Sequence, residues 1–89
     1  MSELDKLQQY LKEHDYFFKR IDEEHNKFIN RHQIIVYSSD GDYRWDAICH
    51  FGSYGFEYGL LEIAGNIVEG SERVEGWLTA DDIISRLER

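Results

Sequence analysis

The 89-residue chain holds one cysteine, no proline and few cations in its second half. A lone cysteine excludes an internal disulfide and the paired Cys-x-x-Cys spacing of a strong zinc signature, leaving a buried thiol, a reactive thiol or a single metal ligand. No stretch reaches the roughly 20 apolar residues that span a bilayer, and "MSELDKLQQYLKEH" lacks the basic start and apolar run of a signal peptide. The expected setting is the cytoplasm, with no membrane contact. The GxxxxGK[ST] phosphate loop is missing too, so the glycines of "FGSYG" serve to bend the chain out of a strand. No repeat or low-complexity tract interrupts the sequence.

Charge is distributed unequally. Residues 1–44 carry nine acidic and seven basic side chains, whereas residues 45–89 carry nine acidic and three basic, within an overall charge of −8. Between Trp45 and Ser85 the only cation is Arg73. A surface of that sign repels phosphate backbones and attracts basic protein surfaces, so direct nucleic-acid binding is disfavoured. Hydrophobic content of 42% with 15% aromatics suffices for a folded core, and the length predicts a single domain over residues 1–89.

Leu4, Leu7, Tyr10 and Leu11 recur at helical spacing behind Ser2, predicting a capped helix over 3–14. "YFFKRID", 16–22, reads as a strand and "EEHNKFIN" as a polar connection. In "HQIIVYSSDGDYRWDAICH" two strand-like runs flank Asp40-Gly41, predicting a hairpin that sets Ser38 opposite Tyr43, Val36 opposite Trp45, Ile34 opposite Ala47 and His32 opposite Cys49. These eight side chains form the expected core face. Gln33, Ile35, Tyr37, Arg44, Asp46, Ile48 and His50 fall on the other, half-exposed face. Leu60, Leu61, Ile63, Ala64, Ile67 and Val68 fit one side of a helix starting near Glu57, with a buried strand over part of 57–68 as the alternative. "EGSERVEG" reads as an acidic connection. Thr79 and Asp82 form a capping pattern for a helix over 80–88. The expected architecture is α+β, in the order α-β-β-β-α-α, with a three-stranded antiparallel sheet and its helices on one face. Its first five elements match the order of a double-stranded RNA-binding domain, a reading that fails because the acidic second half lacks the cationic surface such a domain needs.

Three chemistries compete. His32 and Cys49 as strand neighbours, followed by His50, offer imidazole and thiolate ligands for zinc in a structural or regulatory module. The same pair offers a nucleophile and base for a thiol enzyme, without visible oxyanion donors or an orienting third group. Exposed carboxylates at Asp46, Glu57, Glu62, Glu69, Glu72, Glu75, Asp81 and Asp82, among Tyr54, Phe56, Tyr58 and Trp77, suit a protein-binding face with no catalysis, while the same four aromatics fit a buried core at least as well.

"RHQIIVY", "WDAICHFGSYG", "GLLEIAGNIV" and "VEGWLTADDII" together resemble short acidic proteins of phages and prophages of Firmicutes, over about residues 31–86. The resemblance carries no catalytic residues. It implies inhibition of a host nucleic-acid-handling protein, as by anti-CRISPR proteins that block Cas9, whose nucleic-acid channels are strongly positive. The eight carboxylates are then the expected contacts with a basic protein partner.

Overall fold

A computed structural model describes all residues, 1–89. The chain forms α1 (Glu3–Glu13), β1 (Phe17–Asn26), β2 (Ile29–Tyr37), β3 (Tyr43–Ile48), a single 3₁₀ turn (Phe56–Tyr58), β4 (Leu61–Gly65), β5 (Val74–Leu78) and α2 (Ala80–Leu87). The strands make one antiparallel five-stranded meander in the order β1-β2-β3-β4-β5. The α+β class stands, but the three-stranded sheet and the α-β-β-β-α-α order do not, and with them goes the match in order to the RNA-binding domain.

Two segments account for the correction. Over 57–68 only the 3₁₀ turn is helical, and the body of the run is strand β4, in which Leu61 and Ile63 are buried while Glu62 and Ala64 face the other way. That alternation has a period of two, the mark of a strand, so the buried-strand alternative holds and the helix from Glu57 does not. The supposed connection over 69–76 contains the start of β5. At the other edge, β1 runs through the polar residues Glu23–Asn26 before turning at Lys27-Phe28. Charges suit an edge strand, whose outer backbone groups face solvent.

The hairpin register holds at Val36–Trp45 and Ile34–Ala47, and the Cys49 amide donates to the His32 carbonyl at 3.0 Å. It shifts at the turn, where Tyr37 instead of Ser38 pairs with Tyr43, because a bulge follows Val36. Four of the eight expected core residues, Ile34, Val36, Trp45 and Ala47, are buried, but Tyr43 is exposed and Ser38, His32 and Cys49 are half-buried.

One face of the sheet carries both helices. Leu4, Leu7 and Leu11 of α1 and Ala80 and Ile83 of α2 close over Ile34, Val36, Trp45, Ala47, Leu61, Ile63 and Leu78. Both expected caps form. Ser2 Oγ accepts from Asp5 N at 3.0 Å and Thr79 Oγ1 from Asp82 N at 3.1 Å, and each helix's third residue returns the bond to the cap amide. The two helices begin side by side, for Glu3 Oε1 accepts from the Ala80 amide at 2.7 Å. That amide belongs to the unsatisfied first turn of α2, and its bond holds the Glu3 carboxyl below the usual carboxylate range.

Strand directions fix what meets where. The β1–β2 turn, the 49–60 loop, the end of β5 and the starts of both helices lie at one end of the sheet. The β2–β3 and β4–β5 connections and the finish of α2 lie at the other.

Candidate protein-binding surface

The sequence "RWDAICHFGSYG" resolves into a strand buried on one face, at Trp45 and Ala47, followed by a tightly bonded loop. Ser53 is buried, and its Oγ donates to the His50 carbonyl at 2.7 Å while accepting from the His50 amide at 3.1 Å. Beyond it the amides of Phe56, Tyr58 and Leu60 donate to Ser53 O, Gly55 O and Gly55 O at 3.2, 3.0 and 3.0 Å. Glu62 Oε1 accepts from the Tyr54 amide at 3.0 Å, and the Trp77 amide donates to the Tyr54 carbonyl at 3.4 Å, so the loop is stitched to β4 and β5. Gly55 has φ +95°, and a Cβ there would come within 2.9 Å of Leu60 Cβ and 3.2 Å of Trp77 Cα. At Gly76 a Cβ would collide with Tyr54 Cβ. These two glycines let the loop lie directly on β5.

The loop displays aromatic side chains. Tyr54 is 59% exposed, Tyr58 75% and Trp77 54%, with the Tyr58 and Trp77 ring centroids 5.8 Å apart and tilted by 43°. A second group joins Phe51 edge-on to Phe28 at 5.0 Å and to Phe56 at 6.1 Å. Lys27 Nζ covers the Phe28 ring at 4.8 Å. Of the aromatics expected on a binding face, Tyr54, Tyr58 and Trp77 are exposed and Phe56 is half-buried.

The eight expected contact carboxylates do not form one patch. Asp46 accepts from Gln33 Nε2 at 3.0 Å and from the Tyr43 hydroxyl on the helix-free face, and burial, followed by this bond, pushes the Tyr43 hydroxyl up. Glu62 holds the loop and Asp82 caps α2. Glu75 pairs with the guanidinium of Arg86, whose Nη1 donates to Oε1 at 2.8 Å and whose side chain is 12% exposed. That pairing holds the Glu75 carboxyl down and pushes the guanidinium up. Glu69 bonds Arg89 and lies 3.5 Å from Arg86 Nε. Of the eight, only Glu57, Glu72 and Asp81 are exposed with side chains that make neither a salt bridge nor a hydrogen bond, since the exposed Asp82 carboxylate is taken up by the Thr79 amide. Glu57 and Asp81 lie at the aromatic end, Glu72 at the opposite end.

His32 and Cys49 both line a cleft of about 400 Å³ between the start of α1 and the loop, with Arg20, Leu4, Tyr58 and Leu60. The His32 ring is already engaged, Nδ1 at 2.8 Å from Asp22 Oδ1 and Nε2 at 3.6 Å from Glu24 Oε1. This bond, followed by the neighbouring Arg20, holds the Asp22 carboxyl low. His50 Nδ1 accepts from the His32 amide at 3.2 Å, and burial pushes its own pKa down, favouring the neutral ring. Burial pushes the Cys49 thiol up, away from thiolate. No three His, Cys, Asp or Glu side chains are grouped with the arrangement of metal ligands.

Sequence reasoning missed the Phe28–Phe51–Phe56 group, since Phe28 lay in a supposed polar connection. Its signal was an aromatic at a tight strand reversal. No helix is long and apolar enough to cross a membrane. Comparison with protein-family models, with curated proteins and with solved structures returns no match.

Proposed function

We propose that the chain is a non-enzymatic binding domain that inhibits a nucleic-acid-handling protein by docking its aromatic end against a basic protein surface, with Cas9 of a type II CRISPR system as the specific partner to test. The observation that carries the reading is the densely hydrogen-bonded loop which, lying on β5, leaves Tyr54, Tyr58 and the β5 residue Trp77 in solvent beside Glu57, with Asp81 at the same end of the sheet. Aromatic anchors in a fixed frame supply binding energy at small entropic cost, and unpaired carboxylates steer a cationic partner toward them. The raised thiol of Cys49 and the neutral His50 favour binding over thiol chemistry. The nucleic-acid-handling class of partner rests on the resemblance to phage proteins.

The docking charges are redistributed from the initial eight. Glu69 and Glu75 are largely neutralised by Arg86 and Arg89, and Asp46, Glu62 and Asp82 hold the fold, which leaves Glu57 and Asp81 as the electrostatic contacts at the aromatic end. The test is association of the intact chain with Cas9 at low salt, measured for wild type, for Glu57→Lys with Asp81→Lys, and for Glu72→Lys. The paired reversal should weaken association at least about tenfold, and Glu72→Lys much less. Equal loss from both variants, or none from either, overturns the reading.

A further inference from the structure

Resting on the proposed basic partner, we infer that Tyr58 and Trp77 form a receptor for an arginine side chain presented by that protein. The first ground is the backbone. Trp77 has φ +62°, a left-handed conformation that a bulky L-residue adopts only under strain. Its neighbours Gly76 and Leu78 bracket the kink, and Leu78 is buried in the core. The strain therefore leaves β5 anchored while the indole stands 54% exposed instead of packed. Strain of this kind persists where surrounding structure enforces it, and clusters at ligand clamps. Here the enforcing contacts are the hydrogen bond from the Trp77 amide to the Tyr54 carbonyl and the close seat of Gly55 on Trp77 Cα.

The second ground is the contrast between the two aromatic groups. Phe28 is already covered by the chain's own Lys27. No lysine or arginine of this chain stands over the Tyr58 or Trp77 ring: Arg20, which lines the cleft beside Tyr58, is bonded to Asp5, Gln8 and Asp22, and Arg73 lies in the β4–β5 connection at the far end of the sheet. The two tilted rings, with centroids 5.8 Å apart, both stand largely in solvent, and the unpaired Glu57 is next in sequence to Tyr58. Indole and phenol faces attract cations through their quadrupole, tryptophan most strongly. A guanidinium is planar and weakly hydrated, so it stacks on such faces while its N–H groups reach a carboxylate, whereas a lysine ammonium is a compact, strongly hydrated charge. The acidic surroundings disfavour a phosphate-bearing polymer, which makes a protein arginine the occupant.

The experiment titrates the full chain with capped Gly-Arg-Gly and Gly-Lys-Gly peptides at low salt, following the two indole N–H resonances by NMR. The Trp77 resonance should shift along a saturating curve, the buried Trp45 resonance should stay fixed, and arginine should bind at least about threefold more tightly than lysine. Trp77→Asn, which tolerates the left-handed backbone, and Tyr58→Leu should each weaken arginine binding about fivefold, read from the Tyr54 and Glu57 amides. Lysine binding as tight as arginine, arginine binding unchanged in both variants, or a Trp77 resonance that moves with protein concentration alone and so marks a second copy as occupant, overturns the inference. A Cas9 association that ignores charge reversal overturns the reading above, whereas an arginine peptide that ignores Trp77 overturns this inference alone.

Discussion

The two ends of the sheet spend their charges differently. Where α2 finishes, Glu69 and Glu75 meet Arg86 and Arg89, and the acid of the second half is cancelled locally. Where α2 begins, carboxylates either satisfy backbone amides, as Glu3, Glu62 and Asp82 do, or stand free, as Glu57 and Asp81 do, beside exposed aromatic rings. Net charge by itself therefore locates no binding face. What distinguishes one end is unpaired charge next to apolar surface held in a rigid frame, the combination that a protein interface uses.

The sharpest way to break the comparison is to unseat the loop. Gly55 and Gly59 both have positive φ, but only Gly55 has atoms within 4 Å of an added Cβ. Gly55→Ala should cost about 3 kcal/mol, combining left-handed strain with overpacking, and Gly59→Ala about 1 kcal/mol, both read from denaturant midpoints. Equal losses would show that the loop is not pressed onto β5.

At the opposite end, Arg86→Ala should cost about 2 kcal/mol, because it strands Glu75 beside a half-buried surface. Its pH signature follows from sign. Folding lowers the Glu75 pKa below its ordinary 4.5, so the unfolded chain binds more protons in that range. The contribution is complete above about pH 4.5 and is lost as pH falls through the folded value. Urea titrations of wild type and Arg86→Ala between pH 3 and 6 should therefore converge toward the acid side; a constant gap would contradict the pairing.

A smaller loss, about 1 kcal/mol, is expected for Thr79→Ala, which removes the α2 cap at the aromatic end. The smallest effect has the opposite sign. Trp77→Asn should raise stability by up to about 1 kcal/mol by relieving the φ +62° backbone, while removing the arginine receptor. A stability loss above that size would mark Trp77 as a packing residue.

Much of the frame was legible beforehand. Ser2 and Thr79 announced their helices through side-chain chemistry that acts within four residues, and Asp40-Gly41 set a hairpin whose partners Val36–Trp45 and Ile34–Ala47 follow from a period of two. β4 was obscured because "LLEIAGNIV" is apolar enough to satisfy either period, and only its burial decides between them. β5 was hidden by Gly76 and by a tryptophan in a conformation that no propensity anticipates. The aromatic end was half visible: Tyr54, Tyr58 and Trp77 were named as alternatives to core, but what exposes them is the seating of Gly55 and Gly76, a contact between segments some 20 residues apart. The carboxylates misled for a related reason, since a count of charges does not show which have found an arginine or an amide.

Every strand of this meander hydrogen-bonds the strand before it, so the sheet can zip from one reversal to the next with little loop to close. The bond from Glu3 to Ala80 is of another kind, joining positions 77 apart. Because all five strands separate α1 from α2 in the chain, the leucines of α1 lie on a half-roofed sheet until α2 docks beside them. A chain lacking α2 would therefore uncover part of the apolar sheet face that the folded domain hides.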